Sequence, residues 1–562
     1  MEAFPIDSEA DVPSNDNDPA LLLDRRAKFE ILGAILLGLF LAALDQTIVG
    51  PVLPRIVTEL KGADLYTWVV TIFLVTSTIT VPIYGKLSDL YGRRPLLMIG
   101  IVLFLIGSAL SGLSQTMWEL ILFRGIQGLG AGALFPIALA VIGDLFTPAE
   151  RGKYQGLFGA VFGIAFLVGP GLGGFLTDNF SWHWVFFVNL PIGIVALGVI
   201  FRLLPNIKGR RRDIKIDYAG VVTLTLGLMP ILIGLTLAET SQWSDPAVWG
   251  TILAGVVFLG IFVFVESRAA EPIIPLHLFR NRTFSASMIA IFLATFGFGA
   301  AIIFLPLYFQ IVQGSSATAS GYELLPFLIG LIVASIGSGI AVSRTGRYKV
   351  IVVGGLVILS IGLYLMSFLR ADTPNVVLWG WMFVAGFGVG PTFAVFTIIV
   401  QNAVPFSELG AATADLTLFR QIGTTMGLTL AFTFFRENLT WTLLHDQIVS
   451  AGAPASAVPT APPPGFDLSA LTSVTSTGNP LAFVSQLPAQ LQAIFVQGFH
   501  QAFTLAISSS MLLGVGAAAV SVVVAAIFLK EIPLRTSTGA QAAATGRPAT
   551  EAGVGPARPA LD

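Results

Sequence analysis

The sequence predicts an all-α polytopic membrane protein with fourteen transmembrane helices, and three observations lead to this fold class. The chain of 562 residues is 55% hydrophobic, with a mean hydropathy of +0.83, and is too apolar for a soluble globular protein. It contains fourteen apolar runs that are long enough to cross about 30 Å of hydrocarbon. A charged loop between two of these runs has a second copy in the C-terminal half, which indicates two homologous halves.

The predicted spans are separated mostly by short connections. They cover residues 29–52, 66–84, 95–114, 117–143, 154–177, 184–204, 217–237, 248–266, 284–311, 321–343, 348–368, 377–400, 408–435 and 499–529. The loop motif follows span 2 in one half and span 10 in the other, so spans 7 and 8 have no counterpart. We therefore expect six-helix halves at 29–204 and 284–530, with two inserted helices and their linkers at 205–283.

The remaining segments are polar. Residues 1–28 and 531–562 predict disordered tails, and residues 437–498, rich in Ala, Pro, Ser and Thr, predict an extended outer loop. Residues 487–503 are interpreted either as an amphipathic helix at the outer interface or as an extension of the last span.

The basic residues predict the orientation. If the N-terminus and every even-numbered connection share one side, that side carries most of the 30 Lys and Arg residues. By the positive-inside rule, both termini are then cytoplasmic in a cell (inner) membrane. The chain has no cysteine, which excludes disulfides and thiolate metal sites. We expect no cofactor, no metal and no nucleic-acid partner, and we expect a monomer.

The charged loop runs from Gly85 to Arg94, and its glycines allow a tight turn between antiparallel helices. Asp89 is expected to cap the next helix or to pair with an arginine across the bundle. In the second copy, Gly339 to Arg347, Ser343 replaces this aspartate. The residues predicted to form a cytoplasmic gate are Gly85, Asp89, Gly92, Arg93, Arg94 and Asp144.

Ionisable residues within the spans are the candidates for function, because each one costs at least a few kcal/mol in hydrocarbon. Asp45 in span 1 and Arg124 in span 4 fall at comparable depths, counted at about 1.5 Å per residue. Burial favours a protonated Asp45 and a nearby guanidinium favours the carboxylate, so this pair can switch between proton uptake and release. The alternative is a static ion pair that fixes helix packing. Gln127 lies one turn from Arg124 and can share its hydrogen bonds.

The second half contributes Asp415 and Arg420 in span 13. They are five residues apart and point about 140° from each other, so they cannot form a close pair along one helix face. Asp415 is a candidate second proton carrier or a contact for a cationic substrate, although purely structural roles are equally open. Span 5 contains Gly169, Pro170, Gly173 and Gly174, which predict a hinge or a sealed face between halves; static close packing is the alternative.

The motifs resemble those of the major facilitator superfamily. Gly85 to Arg94 is similar to its second cytoplasmic loop, Arg124 to Gly130 to its fourth-helix motif, and Gly169 to Gly174 to its antiporter motif. Segments 44–49 and 182–193 resemble those of the fourteen-helix drug:proton antiporters, although His183 stands where an arginine is expected. Arg420 with Gln421 also resembles a pattern of this family.

The resemblance implies a major facilitator fold and proton-coupled export of amphipathic or lipophilic drug-like compounds by alternating access, an activity that can cause antibiotic resistance. It implies that Asp45 couples protons, and we expect Arg124 to set its proton affinity. Asp415 is not expected from the family pattern and is a proton-coupling candidate only through its position in span 13. Gln127, Arg420 and Gln421 are expected to contact substrate or the central cavity. No phosphate-binding loop of the ATPase type is present, so an ion gradient supplies the energy. An exporter of a lipid or a specialised metabolite is the alternative. A membrane enzyme or a receptor is disfavoured, because acid–base pairs and a sensing domain are missing.

Overall fold

The computed structural model describes residues 24–62, 65–146, 148–205, 216–240, 243–455, 458–461 and 489–534, and none of these residues lies in a strand. The predicted all-α class is confirmed. The predictions made for residues 1–23, 206–215, 462–488 and 535–562 lie outside the described residues.

Long helices account for most of the described chain. In order they are α1 (Arg25–Leu60), α2 (Tyr66–Tyr91), α3 (Arg93–Ser111), α4 (Met117–Leu145), α5 (Pro148–Asn179), α6 (Asn189–Leu203), α7 (Tyr218–Thr240), α8 (Pro246–Glu266), α9 (Arg282–Ile311), α10 (Leu325–Thr345), α11 (Lys349–Met366), α12 (Asn375–Ala403), α13 (Leu409–Asn438) and α14 (Ala489–Phe528). Shorter helices occur at Trp184–Phe187, Leu276–Arg280, Ala317–Glu323, Phe406–Glu408 and Trp441–Ser450.

Thirteen helices of the described chain are long and apolar enough to cross a membrane. The predicted span at 408–435 is not among them: α13 covers 30 residues, but it is too polar by the same measure. The polar side chains of α13 are buried by its neighbours, since Asp415 is fully buried and Arg420 nearly so. A helix surrounded by other helices need not be apolar all round, and hydropathy therefore underestimates α13.

The helices pack as two groups with an inserted pair. In the first group α4 packs against α2 and α3, and α5 against α1; in the second, α12 packs against α10 and α11, and α9 against α13 and α14. The two groups meet through α5 with α10 and through α2 with α13. The inserted helices α7 and α8 pack on each other, and an apolar cluster joins them to α2 and α13.

The alternation of helices defines two ends of the bundle. We call the end where α1 begins and α14 ends the terminus end, and the opposite one the far end. At the terminus end the turn between α2 and α3 is the single residue Gly92, whose φ of 98° is a conformation that favours glycine. At the far end, α14 begins at Ala489 as one continuous helix, so residues 489–503 extend the last span.

Candidate functional site

A buried hydrogen-bond network surrounds Asp45 in the middle of α1. Arg124 of α4 donates from Nη1 to Asp45 Oδ2 over 2.5 Å, and Gln127 of α4 donates from Nε2 to Asp45 Oδ1 over 2.8 Å. Asn189, the first residue of α6, donates to the same Oδ1 over 3.1 Å. The carboxylate therefore receives hydrogen bonds from two other helices of the first half, and all of these side chains are buried.

Arg124 is held by more than its carboxylate partner. Its Nη1 also donates to Gln127 Oε1 over 2.7 Å, and its guanidinium lies 4.1 Å from the ring centroid of Phe73. The predicted sharing of hydrogen bonds between Arg124 and Gln127 is therefore observed. Gln127 was also predicted to contact substrate or the central cavity. It belongs instead to this network and does not line the cavity between the two halves.

Sequence reasoning missed two members of the network. Asn189 Nδ2 also donates to Ser108 Oγ over 3.0 Å, and Ser108 donates to the carbonyl oxygen of Phe186 over 2.8 Å. Asn189 lies in segment 182–193, which was noted only for its resemblance to a family motif. A buried amide at the start of an apolar helix was a signal that could have identified it, because such a group needs a polar partner.

A cavity of about 290 Å³ lies between the two halves. Its walls include Ala42, Ala43 and Gln46 of α1, so it lies beside the helix turn that carries Asp45. Successive residues of a helix point about 100° apart. Asp45 therefore points away from the direction of its neighbour Gln46, which lines the cavity.

Arg420 and Gln421 of α13 both line this cavity. The Arg420 guanidinium lies 4.7 Å from the ring centroid of Phe393 in α12 and 5.5 Å from that of Phe135 in α4. Its Nη2 donates to the carbonyl oxygen of Thr392 over 3.3 Å. Within the described chain, its Nε and Nη1 have no hydrogen-bond partner.

Asp415 lies on another face of α13. It is fully buried, and neither carboxyl oxygen has a hydrogen-bond partner among the described residues. Glu266 of α8 and Asp89 of α2 are close enough to interact with it electrostatically. As the spacing predicted, no ion pair with Arg420 is found in the described part of the chain. Asp415 instead lies where the inserted pair meets both halves.

Three of the predicted gate residues, Asp89, Arg93 and Asp144, meet at the terminus end. Asp89 pairs with Arg93 over 2.5 Å and accepts hydrogen bonds from the backbone N–H groups of Gly410, at 3.0 Å, and Ala411, at 2.8 Å. Arg93 Nε also donates to Asp144 over 2.9 Å. Asp89 thus caps α13 of the opposite half, and the prediction that it caps the next helix is wrong. Its arginine partner lies four residues away on the same side of the bundle.

Arg94 does not join this cluster, contrary to the prediction. It donates to the carbonyl oxygen of Phe201, and its guanidinium lies 4.9 Å from the ring of the same residue. Consecutive residues at the start of α3 point in different directions, so Arg93 faces the opposite half while Arg94 packs against α6 of its own half.

Two glycine contacts bring the halves together at the terminus end. A Cβ at Gly85 would overlap Ala414 of α13, and a Cβ at Gly152 of α5 would overlap Gly339 of α10. The two contacts occupy equivalent places in the two-repeat scheme. Asp89 lies beside the first contact, and Ser343 takes its place in the second copy. Among the described residues, Ser343 Oγ has no hydrogen-bond partner.

The antiporter motif packs α5 against two neighbours. Cβ atoms at Gly169 and Gly173 would overlap Thr47 and Ile48 of α1, respectively, and Pro170 lies opposite Gly321 of the second half. Gly174 is less tightly packed: an added Cβ would be 3.6 Å from Thr318 Oγ1. The motif therefore includes residues that contact both α1 and the opposite half.

His183 lies at the far end, where the family pattern has an arginine. Its ring stacks on Trp182 with 3.8 Å between centroids, and burial lowers the pKa of this histidine. Trp182 donates to Glu59 at the end of α1 over 2.9 Å. The contacts of this loop are thus aromatic and hydrogen-bonding.

Comparison with known proteins shows the family of this chain. The profile of the Major Facilitator Superfamily matches residues 35–428. The multidrug transporter protein MdtP of Bacillus subtilis is 38% identical over 422 residues, which are 75% of this chain and 77% of that protein. Multidrug resistance protein 3 of the same organism is 39% identical over 420 residues, 75% of this chain and 81% of that protein.

Among solved structures, the proton:xylose symporter XylE shares the fold, with a TM-score of 0.55 at 15% identity over 88% of this chain and 95% of that one. The expected fold is thereby confirmed. The chain belongs to the Major Facilitator Superfamily, whose members are multi-pass membrane transporters rather than enzymes.

Proposed function

We propose that this chain is a proton-coupled antiporter that exports amphipathic or lipophilic compounds by alternating access. One observation carries the proposal: the fully buried carboxylate of Asp45 in α1 forms an ion pair with Arg124 in α4, and both helices contribute to the wall of the cavity between the halves. The names of the multidrug relatives support drug-like substrates.

In this proposal Asp45 is the proton-binding group. A proton on the carboxyl group removes its charge and weakens the hydrogen bonds from Arg124, Gln127 and Asn189. The contacts that hold α1 against α4 and α6 then loosen. Since Ala42 and Gln46 of α1 line the cavity, proton binding changes the shape of the substrate site.

Asp415 is proposed as a second proton carrier. It is buried without a bonded cation, and in its charged form such a group is strongly disfavoured in a helical bundle. Its place on α13, close to Glu266 of α8, gives the inserted pair a part in the proposed transport cycle.

The gate residues are proposed to alternate between closed and open arrangements. In this proposal the contacts of Asp89, Arg93 and Asp144 hold the terminus end closed. Gly169 and Pro170 of α5 are proposed as the hinge for opening. The bias of Lys and Arg supports a cytoplasmic location of this end in a cell (inner) membrane. We also propose that the protein acts as a monomer.

An ion gradient is sufficient for this task. One proton that falls through 100 mV releases about 2.3 kcal/mol, and a tenfold substrate gradient stores about 1.4 kcal/mol. One or two protons in each cycle therefore support substantial export.

The test is transport by the purified protein in proteoliposomes with an imposed pH gradient. Ethidium, 1-anilinonaphthalene-8-sulfonate and the neutral N-phenyl-1-naphthylamine serve as a cation, an anion and a neutral compound. The proposal predicts movement of at least one of them that collapses when an ionophore removes the gradient. Transport of labelled lipid alone would contradict the drug-like substrate class, and transport insensitive to the gradient would contradict proton coupling.

A further inference from the structure

The charged groups that face the central cavity are unbalanced. Among the described residues that line it, Arg420 is charged and no carboxylate is present. The remaining lining residues are apolar, aromatic or neutral polar. Asp45 does not line the cavity and is already paired with Arg124, while Asp415 points to another face of α13.

The guanidinium of Arg420 lacks a counterion within the described chain. The residue is only 7% exposed, and its bond to Thr392 leaves Nε and Nη1 without partners. The faces of Phe393 and Phe135 stabilise the charge, but cation–π contacts offset only part of the cost of burying an unpaired ion. An anion in the cavity would offset this cost, whereas a cation would add like-charge repulsion at low dielectric.

From these observations we propose that the central cavity selects amphipathic organic anions, in which an aromatic or aliphatic body carries one acidic group. The body fits between aromatic rings of both halves, since Phe135, Phe162 and Phe393 form one contiguous aromatic wall beside Arg420. This inference rests on the proposed export function and names its substrate class.

The cavity size favours a small organic acid over a membrane lipid. About 290 Å³ is near the lower end of the usual range for small-molecule sites, roughly 300–1,000 Å³. Such a volume accommodates a compound of one or two fused rings more readily than a lipid with two acyl chains. Carboxylates, sulfonates and phenolates share the required charge.

The test measures binding to purified protein in nanodiscs of zwitterionic lipid, with empty nanodiscs as the blank. The probes are 1-anilinonaphthalene-8-sulfonate and N-phenyl-1-naphthylamine, which have the same ring skeleton and differ by one sulfonate. We expect Arg420→Gln to weaken binding of the sulfonate about tenfold or more, as loss of a hydrogen bond to a charged group predicts, and to change binding of the neutral probe less than twofold.

Two further variants separate charge from packing. Arg420→Lys retains the charge and should keep most of the sulfonate affinity, and Arg347→Gln removes an exposed arginine outside the cavity and should change neither probe. Binding of the neutral probe also reports that the cavity of each variant is folded. Equal weakening of both probes, or unchanged sulfonate binding in Arg420→Gln, would overturn the inference.

A measurement on the unaltered protein keeps the test decisive if Arg420→Gln does not fold. Octanesulfonate should displace the neutral probe at a lower concentration than octyltrimethylammonium, and the reverse order would overturn the inference. Loss of sulfonate binding when anionic phosphatidylglycerol is added to the nanodiscs would assign the site to a lipid headgroup and contradict a small organic acid.

No gradient is present in these binding measurements, so they do not depend on export. Selective anion binding without gradient-driven transport would contradict the proposed export function but would still support an anion-selective cavity. Gradient-driven export of ethidium alone, unaffected by Arg420→Gln, would support the proposed export function and contradict the selection of organic anions.

Discussion

Substitution of Asp89 tests how the two halves are held together at the terminus end. This carboxylate, from α2 of the first half, accepts hydrogen bonds from the backbone N–H groups of Gly410 and Ala411 at the start of α13 in the second half. Both bonds must break if the terminus end opens as proposed. Asp89→Asn keeps the size of the side chain and removes its charge, while Arg93 retains Asp144 as a partner.

The size of the effect follows from these contacts. The side-chain amide introduced by Asp89→Asn has one acceptor oxygen and can accept a hydrogen bond from one of the two backbone N–H groups. One hydrogen bond to a charged acceptor is therefore lost, which costs about 1.5–3 kcal/mol. Loss of a negative charge at a helix N-terminus adds about 0.3–1 kcal/mol. A sum of about 3 kcal/mol corresponds to a roughly hundredfold shift toward the open arrangement.

The absence of native cysteines makes the assay direct. Spin labels on Lys153→Cys in α5 and Ser407→Cys before α13, both at exposed positions in different halves, report the opening by double electron–electron resonance. Asp89→Asn should raise the ratio of longer to shorter distances about a hundredfold. Asp245→Asn is the matched control, because Asp245 caps α8 through Ala247 without joining the halves. An unchanged distance distribution in Asp89→Asn, or an equal change in the control, would refute the reasoning.

Three further substitutions test separate contacts. Gly85→Val should also favour the open arrangement in the same spin-label assay, because its side chain would collide with Ala414; unchanged distances would contradict the close contact. Asn189→Ala should lower stability by about 1–3 kcal/mol, since Asp45 loses a buried donor; an unaltered thermal unfolding midpoint in nanodiscs would count against it. Burial raises the pKa of Tyr348 to about 12, so the folded state binds this proton more tightly than the unfolded chain, whose tyrosines titrate near 10. Stability should therefore fall as pH rises through that window, and Tyr348→Phe should remove this part of the decline; equal pH profiles would contradict the assignment.

Much of the fold and the centre of the site were predictable, because both depend on local or periodic signals. Apolar runs located the helices, and the repeated loop predicted that they form two halves. The pairing of Asp45 with Arg124 followed from their depths, since ionisable groups within a membrane need partners.

Contacts that depend on tertiary geometry were not predictable. Asp89 caps a helix 321 residues away in sequence, and no local pattern specifies such a partner. Arg93 and Arg94 are equivalent in sequence, but the direction in which each leaves α3 assigns them to different neighbours. The helix α13 itself was predicted as span 408–435, but the burial of its polar residues Asp415 and Arg420 depends on the surrounding helices.

The arrangement of charge around the cavity likewise needed the structure. From sequence alone, Asp415 was a candidate contact for a cationic substrate. The structure places it at the junction with the inserted pair, whereas Arg420 borders the cavity. Five residues along one helix separate these environments, and only the packing of the neighbouring helices determines which charge meets a substrate.

The central claim is that Asp45 couples proton movement to transport, and it is tested most directly by substrate-driven proton flux. Proteoliposomes with a trapped pH dye would contain the unaltered protein, Asp45→Asn, Asp415→Asn or the surface control Asp245→Asn, with ethidium or 1-anilinonaphthalene-8-sulfonate added. Asp45→Asn should still bind the added compound in nanodiscs but should move no protons. Full proton movement in Asp45→Asn would contradict the claim and, if Asp415→Asn abolished it, would assign the coupling to Asp415.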